Sequence, residues 1–291
     1  ENVNFDVPVG AVTGILGNNG TGKSTLLNCI GGILQPDAGN VFFKGVDLLK
    51  LSRRKRARHV AYVSQHFETS GASVYDTVLL GRLPYFYAGP TREDHEAVER
   101  VLHEFGIEQW VNRNAKTLSG GEAQKVMLAR AVVQQTNVLL LDEPTASLDL
   151  GSQVDMLAFV SQYAQRHNVV VLMVSHDINA ALRFCSQFVL IDPKGNVSTV
   201  AAQDLTEADL RRTYGVDVRL HEIDGQRFAL VEGKAHHFQQ RVGNVLCQIL
   251  KHSGREEQAF LTSLAGLLLV LFWMVPYIYQ LFETMKELFA L

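Results

Sequence analysis

The stretch Gly17-Asn-Asn-Gly-Thr-Gly-Lys-Ser24 decides the fold. It satisfies G-x-x-x-x-G-K-[ST], and its surroundings have the required character. Residues 11–16 form a short apolar run that reads as a strand, and Thr25-Leu-Leu-Asn-Cys-Ile30 reads as the body of a helix broken at Gly31-Gly32. Glycines let such a loop curl so that successive backbone N–H groups point inward at an anion, and the following helix aims its positive end at the same place. The loop therefore predicts a triphosphate seat built from Gly17, Asn18, Asn19, Gly20, Thr21, Gly22, Lys23, Ser24 and Thr25. Lys23 is expected to bridge the terminal phosphates, and Ser24 to offer an oxygen to Mg²⁺. An incidental Gly-rich turn would lack this strand-before, helix-after setting.

Outward from the loop, the chain alternates between strand and helix signals. Val138-Leu-Leu-Leu141, Val169-Val-Val-Leu-Met-Val174 and Phe188-Val-Leu-Ile191 are long apolar runs separated by helix-length segments. That pattern predicts an α/β fold, a mostly parallel sheet covered on both faces by helices. Residues 2–7 alternate like a strand, and Val41-Phe-Phe43 begins another. Asp224-Gly225, between residues 219–223 and 226–231, is a hairpin signal that closes the domain. Ser52 is placed to cap a helix carrying Arg53-Arg-Lys-Arg-Ala-Arg58, a basic run most simply read as a solvated face. From about 66 to 133 the strand pattern lapses into a helical insertion. There Val98, Val101, Leu102 and Phe105 fall on one face, with Glu96, Glu99 and Arg100 opposite.

Beyond 232 the chain changes in kind. Residues 233–257 carry an amphipathic pattern (Phe238, Val242, Val245, Leu246, Ile249, Leu250), and Gln258 to Phe282 contains no charge. A run of that length suits a transmembrane helix, followed by a short tail, 283–291. Lys251 and Arg255 before it agree with a cytosolic N-terminal side. A helix buried in an oligomer interface and a frameshifted reading of the gene are the competing readings.

Composition sets the wider limits. With 291 residues and 47% hydrophobic content the chain can bury a large core, and a net charge of −3 gives no electrostatic footprint for nucleic acid. Cys29, Cys185 and Cys247 match no disulfide or zinc spacing and fit a reducing compartment.

Further motifs narrow the reading. Val138-Leu-Leu-Leu-Asp-Glu143 is a buried strand ending in two acids: Asp142 suits Mg²⁺, and Glu143 suits the polarisation of an attacking water. Leu118-Ser-Gly-Gly-Glu122 opens a helical run and offers a second anion seat through Ser119 and the Gly120 and Gly121 amides. In this order and spacing the segment resembles the signature motif of the ATP-binding cassette family. The resemblance covers about residues 1–232 and implies a P-loop ATPase core with an inserted helical subdomain. It implies that the signature closes on ATP held by a second subunit.

It also implies roles for further residues. Gln65 resembles the glutamine that contacts Mg²⁺ and senses the membrane partner. Ser147 and Asp149 resemble the loop that crosses the dimer interface. His176, at the end of an apolar run, resembles the switch histidine at the γ-phosphate, although a lone histidine there is ordinarily structural. The implied set is catalytic Glu143, His176 and Lys23, the phosphate loop, the trans signature Leu118, Ser119, Gly120, Gly121 and Glu122, and Mg²⁺ held by Ser24, Gln65 and Asp142. ATP and Mg²⁺ are the implied cofactors. The implied partners are a second ATPase copy, two integral membrane permease subunits and, indirectly, a substrate-binding protein, on the cytoplasmic face of the cell membrane.

Val78-Leu-Leu-Gly-Arg-Leu-Pro-Tyr85 and His176-Asp-Ile-Asn-Ala-Ala-Leu-Arg-Phe-Cys185 resemble the branch that imports ferric siderophores, haem and cobalamin. Another transport system of the family, or a non-transport cassette acting in translation or DNA repair, are the alternatives. The latter usually carry tandem cassettes or coiled coils, and neither pattern occurs here. Two departures stand out. Family members place an adenine-stacking aromatic before the point where this chain begins, at Glu1 rather than methionine, so a missing front piece is expected. The segment after 232 is also foreign to the family.

Overall fold

A computed structural model describes residues 3–65, 71–146 and 148–231. The expected amphipathic segment 233–257, the transmembrane segment 258–282 and the tail 283–291 lie outside the described residues, as do 66–70 and Ser147. Among the described residues, no helix is long and apolar enough to cross a membrane.

The fold is organised around β1 (Val12–Gly17), all six residues of which are buried. It runs into α1 (Lys23–Ile30), then a small hairpin of β2 (Phe42–Phe43) and β3 (Val46–Asp47), and a single-turn α2 (Arg53–Arg56). β4 (Val60–Val63) precedes the helical insertion of α3 (Val74–Leu79), α4 (Arg92–Glu104) and α5 (Gly120–Val132). Next come β5 (Val138–Asp142), α6 (Leu150–His167), β6 (Val170–Val174), α7 (Ile178–Phe184), β7 (Gln187–Ile191) and β8 (Val197–Ala201). α8 (Glu207–Tyr214) and the hairpin of β9 (Val218–Ile223) and β10 (Gln226–Val231) complete it.

The six-stranded sheet has the order β4-β5-β6-β1-β7-β8, parallel throughout except for antiparallel β8. Consecutive residues point to opposite faces, so each apolar run feeds two cores. Leu139, Leu141, Val171 and Met173 face the helical insertion and α6, whereas Val138, Leu140, Val170 and Leu172 join Leu27 and Ile30 of α1. Each fully buried aliphatic side chain contributes roughly 1.5–3 kcal/mol of burial. Such runs rise in parallel from the same edge, and so the ends of β1, β5 and β6 gather where the chain leaves them.

Local chemistry sets the insertion's boundaries. Ser73 caps α3, and Thr91 caps α4 in a reciprocal box with Asp94. Asp94 also holds Arg82 at 2.8 Å, with both side chains almost fully buried. Arg82 donates on to the Val133 carbonyl (3.2 Å) and the Gln135 side chain (2.8 Å), which ties the insertion to the end of α5. Removing either charge would strand the other in a dry site. The apolar face read from Val98, Val101, Leu102 and Phe105 is buried as expected.

Two expectations are revised. Residues 3–8 form no strand, although Phe5 and Val7 are half-buried against the α1-side core and their neighbours are exposed. The period of two is real, but among the described residues no strand pairs with them in a ladder. The basic run at 53–58 is more than a solvated face. Arg54 and Arg58 donate to the Pro84 carbonyl at 3.0 Å each, and Arg56 donates to the Gly32 carbonyl at 2.9 Å. The closing hairpin matches its signal: Asp224 and Gly225 both take positive φ, the twist a two-residue turn needs.

Candidate nucleotide site

The loop between β1 and α1 is shaped by two glycines. Gly22 is left-handed (φ 91°) where the chain enters the helix, and a Cβ on Gly17 would lie 2.6 Å from the Ile191 carbonyl. The first amides of α1 have no intrahelical acceptor, and no side chain caps them, so they remain available to an anion. Asn19, Gly20 and Thr25 are exposed, and one side of the seat faces solvent. Lys23 is 6% exposed and donates back to the Gly17 carbonyl at 2.9 Å and the Asn18 carbonyl at 2.8 Å. Burial lowers its pKa, opposed by the nearby charges of Glu143 and Asp142.

Two carboxylates close the other side. Asp142, the last residue of β5, accepts from the Ser24 hydroxyl at 2.9 Å and from the Tyr62 hydroxyl at 3.1 Å. Burial and the Asp142 charge push the Tyr62 phenol up, which keeps it a donor. Glu143 sits just past the strand at φ 50°, a left-handed conformation that costs a non-glycine residue about 1 kcal/mol or more. That turn aims its carboxylate between two partners: the Gln65 amide donates to Oε2 at 2.6 Å, and His176 Nε2 meets Oε1. Residues separated by 78 and 33 positions thus converge on one side chain.

The oxygens of Ser24 and Asp142, with the Gln65 amide nearby, form a hard donor set of the type Mg²⁺ takes. Among the described residues no cluster of three His, Cys, Asp or Glu side chains stands ready to bind a metal unaided.

The signature segment lies at the start of α5. Ser119 caps the helix, accepting from Glu122 N at 3.3 Å, while the Glu122 carboxylate accepts from Ser119 N at 2.8 Å. Arg113 anchors that carboxylate at 2.7 Å, and Arg113 together with the Ser119 amide holds the Glu122 pKa down to about 2. Ser119 and Gly120 are exposed, and Leu118 and Gly121 half-buried. Among the described residues, no hydrogen bond or ion pair joins 118–122 to 17–25. Asp149 is the cap of α6, accepting from Ser152 N at 3.0 Å, and buried Leu148 packs against Gly121. The structure thus gathers Lys23, Ser24, Gln65, Asp142, Glu143 and His176 and leaves the signature apart. A cavity of about 280 Å³ lies behind the signature, between Phe105, Leu128, Leu148 and Met156, away from the phosphate loop.

Sequence reasoning missed Tyr62, Arg113 and the contact between Asn18 and the Tyr214 carbonyl at 3.2 Å. Tyr62 had a usable signal, since it follows three residues before Gln65 on a strand parallel to β5. Arg113 reaches Glu122 across nine residues with no sequence pattern to mark it, and the Asn18–Tyr214 contact arises from tertiary packing alone.

A phosphate loop after β1 facing an Asp-Glu pair at the end of β5, one strand beyond the neighbouring β6, defines a P-loop nucleotide hydrolase. Residues 1–146 match the family described as ABC transporter. The chain is 37% identical over 225 residues to an ABC transporter ATP-binding protein of Methanocaldococcus jannaschii, covering 77% of this chain and 89% of that one. It is 34% identical over 225 residues to the iron(3+)-hydroxamate import ATP-binding protein of Bacillus subtilis, covering 76% and 83%. Among solved structures, a metal-chelate type ABC transporter in an inward-facing conformation superposes with a TM-score of 0.69 at 27% identity, covering 80% of this chain and 91% of that one. The chain belongs to the ABC transporter family as an ATP-binding, ATP-hydrolysing cassette. Residues 242–288 match a different description, the stage III sporulation protein AC/AD protein family.

Proposed function

We propose that this cassette powers import of a metal chelate of the ferric siderophore, haem or cobalamin type, working as a head-to-tail pair beneath two membrane permease subunits. The observation that carries the chemistry is the pairing of partners on the two carboxylates: Ser24 and Tyr62 on Asp142, Gln65 and His176 on Glu143. The similarity to an iron(3+)-hydroxamate import subunit and to a metal-chelate type transporter supports the cargo class.

Lys23 exchanges its two loop carbonyls for the terminal phosphates, and the amides at the start of α1 hold the remaining oxygens. Ser24, Asp142 and Gln65 would hold Mg²⁺, whose charge would offset that of the phosphates. Glu143 accepts a hydrogen bond from the attacking water and takes its proton as the water oxygen bonds to the γ-phosphorus and the bond from that phosphorus to the bridging oxygen breaks, ADP leaving with the electron pair. His176 contacts the γ-phosphate, and Gln65 reports occupancy toward the permease through the region around 66–90. Ser119, Gly120 and Gly121 of the second copy complete the seat from its solvent side, aided by the 147–149 loop. The charge-free stretch 258–282 supports a membrane anchor on the cytoplasmic face. Carbonate extraction of the chain expressed alone should leave it in the pellet, and full release into the supernatant would refute the anchor.

Glu143→Gln tests the catalytic reading. It should bind MgATP with near-normal affinity, accumulate as an ATP-bound dimer on gel filtration, and lose turnover by at least about 10²-fold. Normal turnover would remove Glu143 from its role.

A further inference from the structure

Asn179, in the first turn of α7, binds a strand that lies 50 residues further along the chain. Its Nδ2 donates to the Ala229 carbonyl at 3.3 Å, and its Oδ1 accepts from the Ala229 amide at 2.7 Å. Ala229 is a buried residue of β10, opposite Leu220 of β9. Opposed residues of an antiparallel pair alternate between bonding each other and turning their main-chain groups outward. This pair turns outward, since the Leu220 amide donates to the Glu207 side chain at 3.0 Å. Among the described residues β10 pairs with no strand but β9. A side-chain amide carries the same donor and acceptor as a peptide unit. Asn179 thus stands in for one residue of a neighbouring strand along the outer edge of β10.

The same helix begins directly after the histidine that meets Glu143. Asp177 caps α7, accepting from the Asn179 amide at 2.9 Å and the Ala180 amide at 3.0 Å. On the other side of His176, the buried Ser175 hydroxyl donates to the Asp177 carbonyl at 3.1 Å and accepts from the Asp177 amide at 3.2 Å. His176 itself is exposed, so the bend that frames it sets where its ring lies. That bend is fixed to α7, and Asn179 fixes α7 to β10. The hairpin has a second, separate anchor: Arg227 donates to the carbonyls of Ala202 at 2.6 Å, Gln203 at 3.1 Å and Leu205 at 2.5 Å.

We infer that Asn179 is a positioning residue for hydrolysis: its two bonds to Ala229 hold the start of α7 in place, and with it the Ser175–Asp177 bend that aims His176 at Glu143. Losing them strands a buried amide and a buried carbonyl on β10 and lets the first turn of α7 shift. A shift of that kind far from the reacting atoms misplaces the imidazole without touching the phosphate loop. This inference rests on the role proposed above for His176.

ATP turnover of the full chain, assayed well below each variant's melting temperature, tests this. Asn179→Ala should lower kcat about tenfold and leave KM for MgATP within about twofold of the wild type. Asn179→Asp keeps an acceptor for the Ala229 amide but sets a carboxylate oxygen against its carbonyl, so kcat should fall in the same direction. Arg227→Ala is the structural control: it loosens the hairpin at the other anchor and should lower the melting temperature with kcat near the wild-type value. In a His176→Ala background, adding Asn179→Ala should change the residual turnover by less than about twofold, because the residue it positions is gone. An unchanged kcat in both Asn179 variants would overturn the proposal. So would an equal loss in Arg227→Ala, which would make general hairpin stability the cause, or a full further loss in the His176→Ala background. Wild-type turnover in His176→Ala alone would instead defeat the reading of the histidine on which the inference rests.

Discussion

The chain builds two anion seats at helix starts, and it builds them by opposite means. At α1 no side chain caps the helix, glycine supplies the entry, and a buried lysine folds back onto two loop carbonyls. At α5 the start is fully capped, with Ser119 and Glu122 closing a reciprocal box and Arg113 bracing it from outside. The first seat is completed only by distant residues, since Gln65, Asp142, Glu143 and His176 all come from other elements. The second is almost wholly local, with every partner within nine residues. An uncapped helix start keeps its amides and dipole for a ligand, whereas a capped one gives up some of that reach for rigidity. The α1 seat is thus suited to gripping a charge that comes and goes. The α5 seat is suited to presenting a fixed surface to a charge held elsewhere.

This contrast can be broken at Ser119, where capping and anion contact are separable. Aspartate caps as well as serine does and favours a helix start, but it brings a negative charge to a surface proposed to face phosphate. Ser119→Asp should therefore keep its melting temperature while ATP turnover falls by about 10²-fold or more, and ATP-dependent dimers should vanish from gel filtration. Ser119→Ala should show the reverse balance, losing about 1 kcal/mol of stability with a smaller loss of turnover. If Ser119→Asp hydrolyses ATP normally, the signature faces no anion, and the two seats are not alike in purpose.

The same contrast explains what could be read from the sequence. Features held by neighbours in the chain were legible: the phosphate loop, the helix start at Ser119, the long apolar runs, and the Asp224-Gly225 turn. The parallel sheet followed, because an apolar run such as Val138–Leu141 can be buried on both faces only beneath two layers of helices. Tyr62 on Asp142 and Asn18 on the Tyr214 carbonyl were not legible, because each depends on which strand or helix lands beside which. Gln65 and His176 were singled out by resemblance, not by any local pattern, and their convergence on Glu143 appears only in the fold. Residues 3–8 failed differently. Their alternation was read correctly, but alternation specifies which side chains are buried and says nothing about whether a neighbouring strand exists.

The smallest expected effect lies in the brace behind the capped seat. Arg113 donates to the two Glu122 oxygens at 2.7 and 3.4 Å, and the pair is partly exposed. Water screens such a pair, so Arg113→Ala should lower ATP turnover by no more than about fivefold. Its signature is in the pH dependence. The Glu122 pKa is depressed from 4.5 to about 2 by Arg113 first and the Ser119 amide second. A depressed carboxylate contributes its stability above the unfolded value and loses it as pH falls toward the folded one. The melting-temperature gap between wild type and Arg113→Ala should therefore hold steady above pH 4.5 and narrow below it, as protonation removes the charge Arg113 was bracing. The uncapped seat provides the control, because nothing at the start of α1 depends on Glu122. A gap that stays constant down to pH 3 would mean that Arg113 acts through its bond to the Thr117 carbonyl and not through the cap.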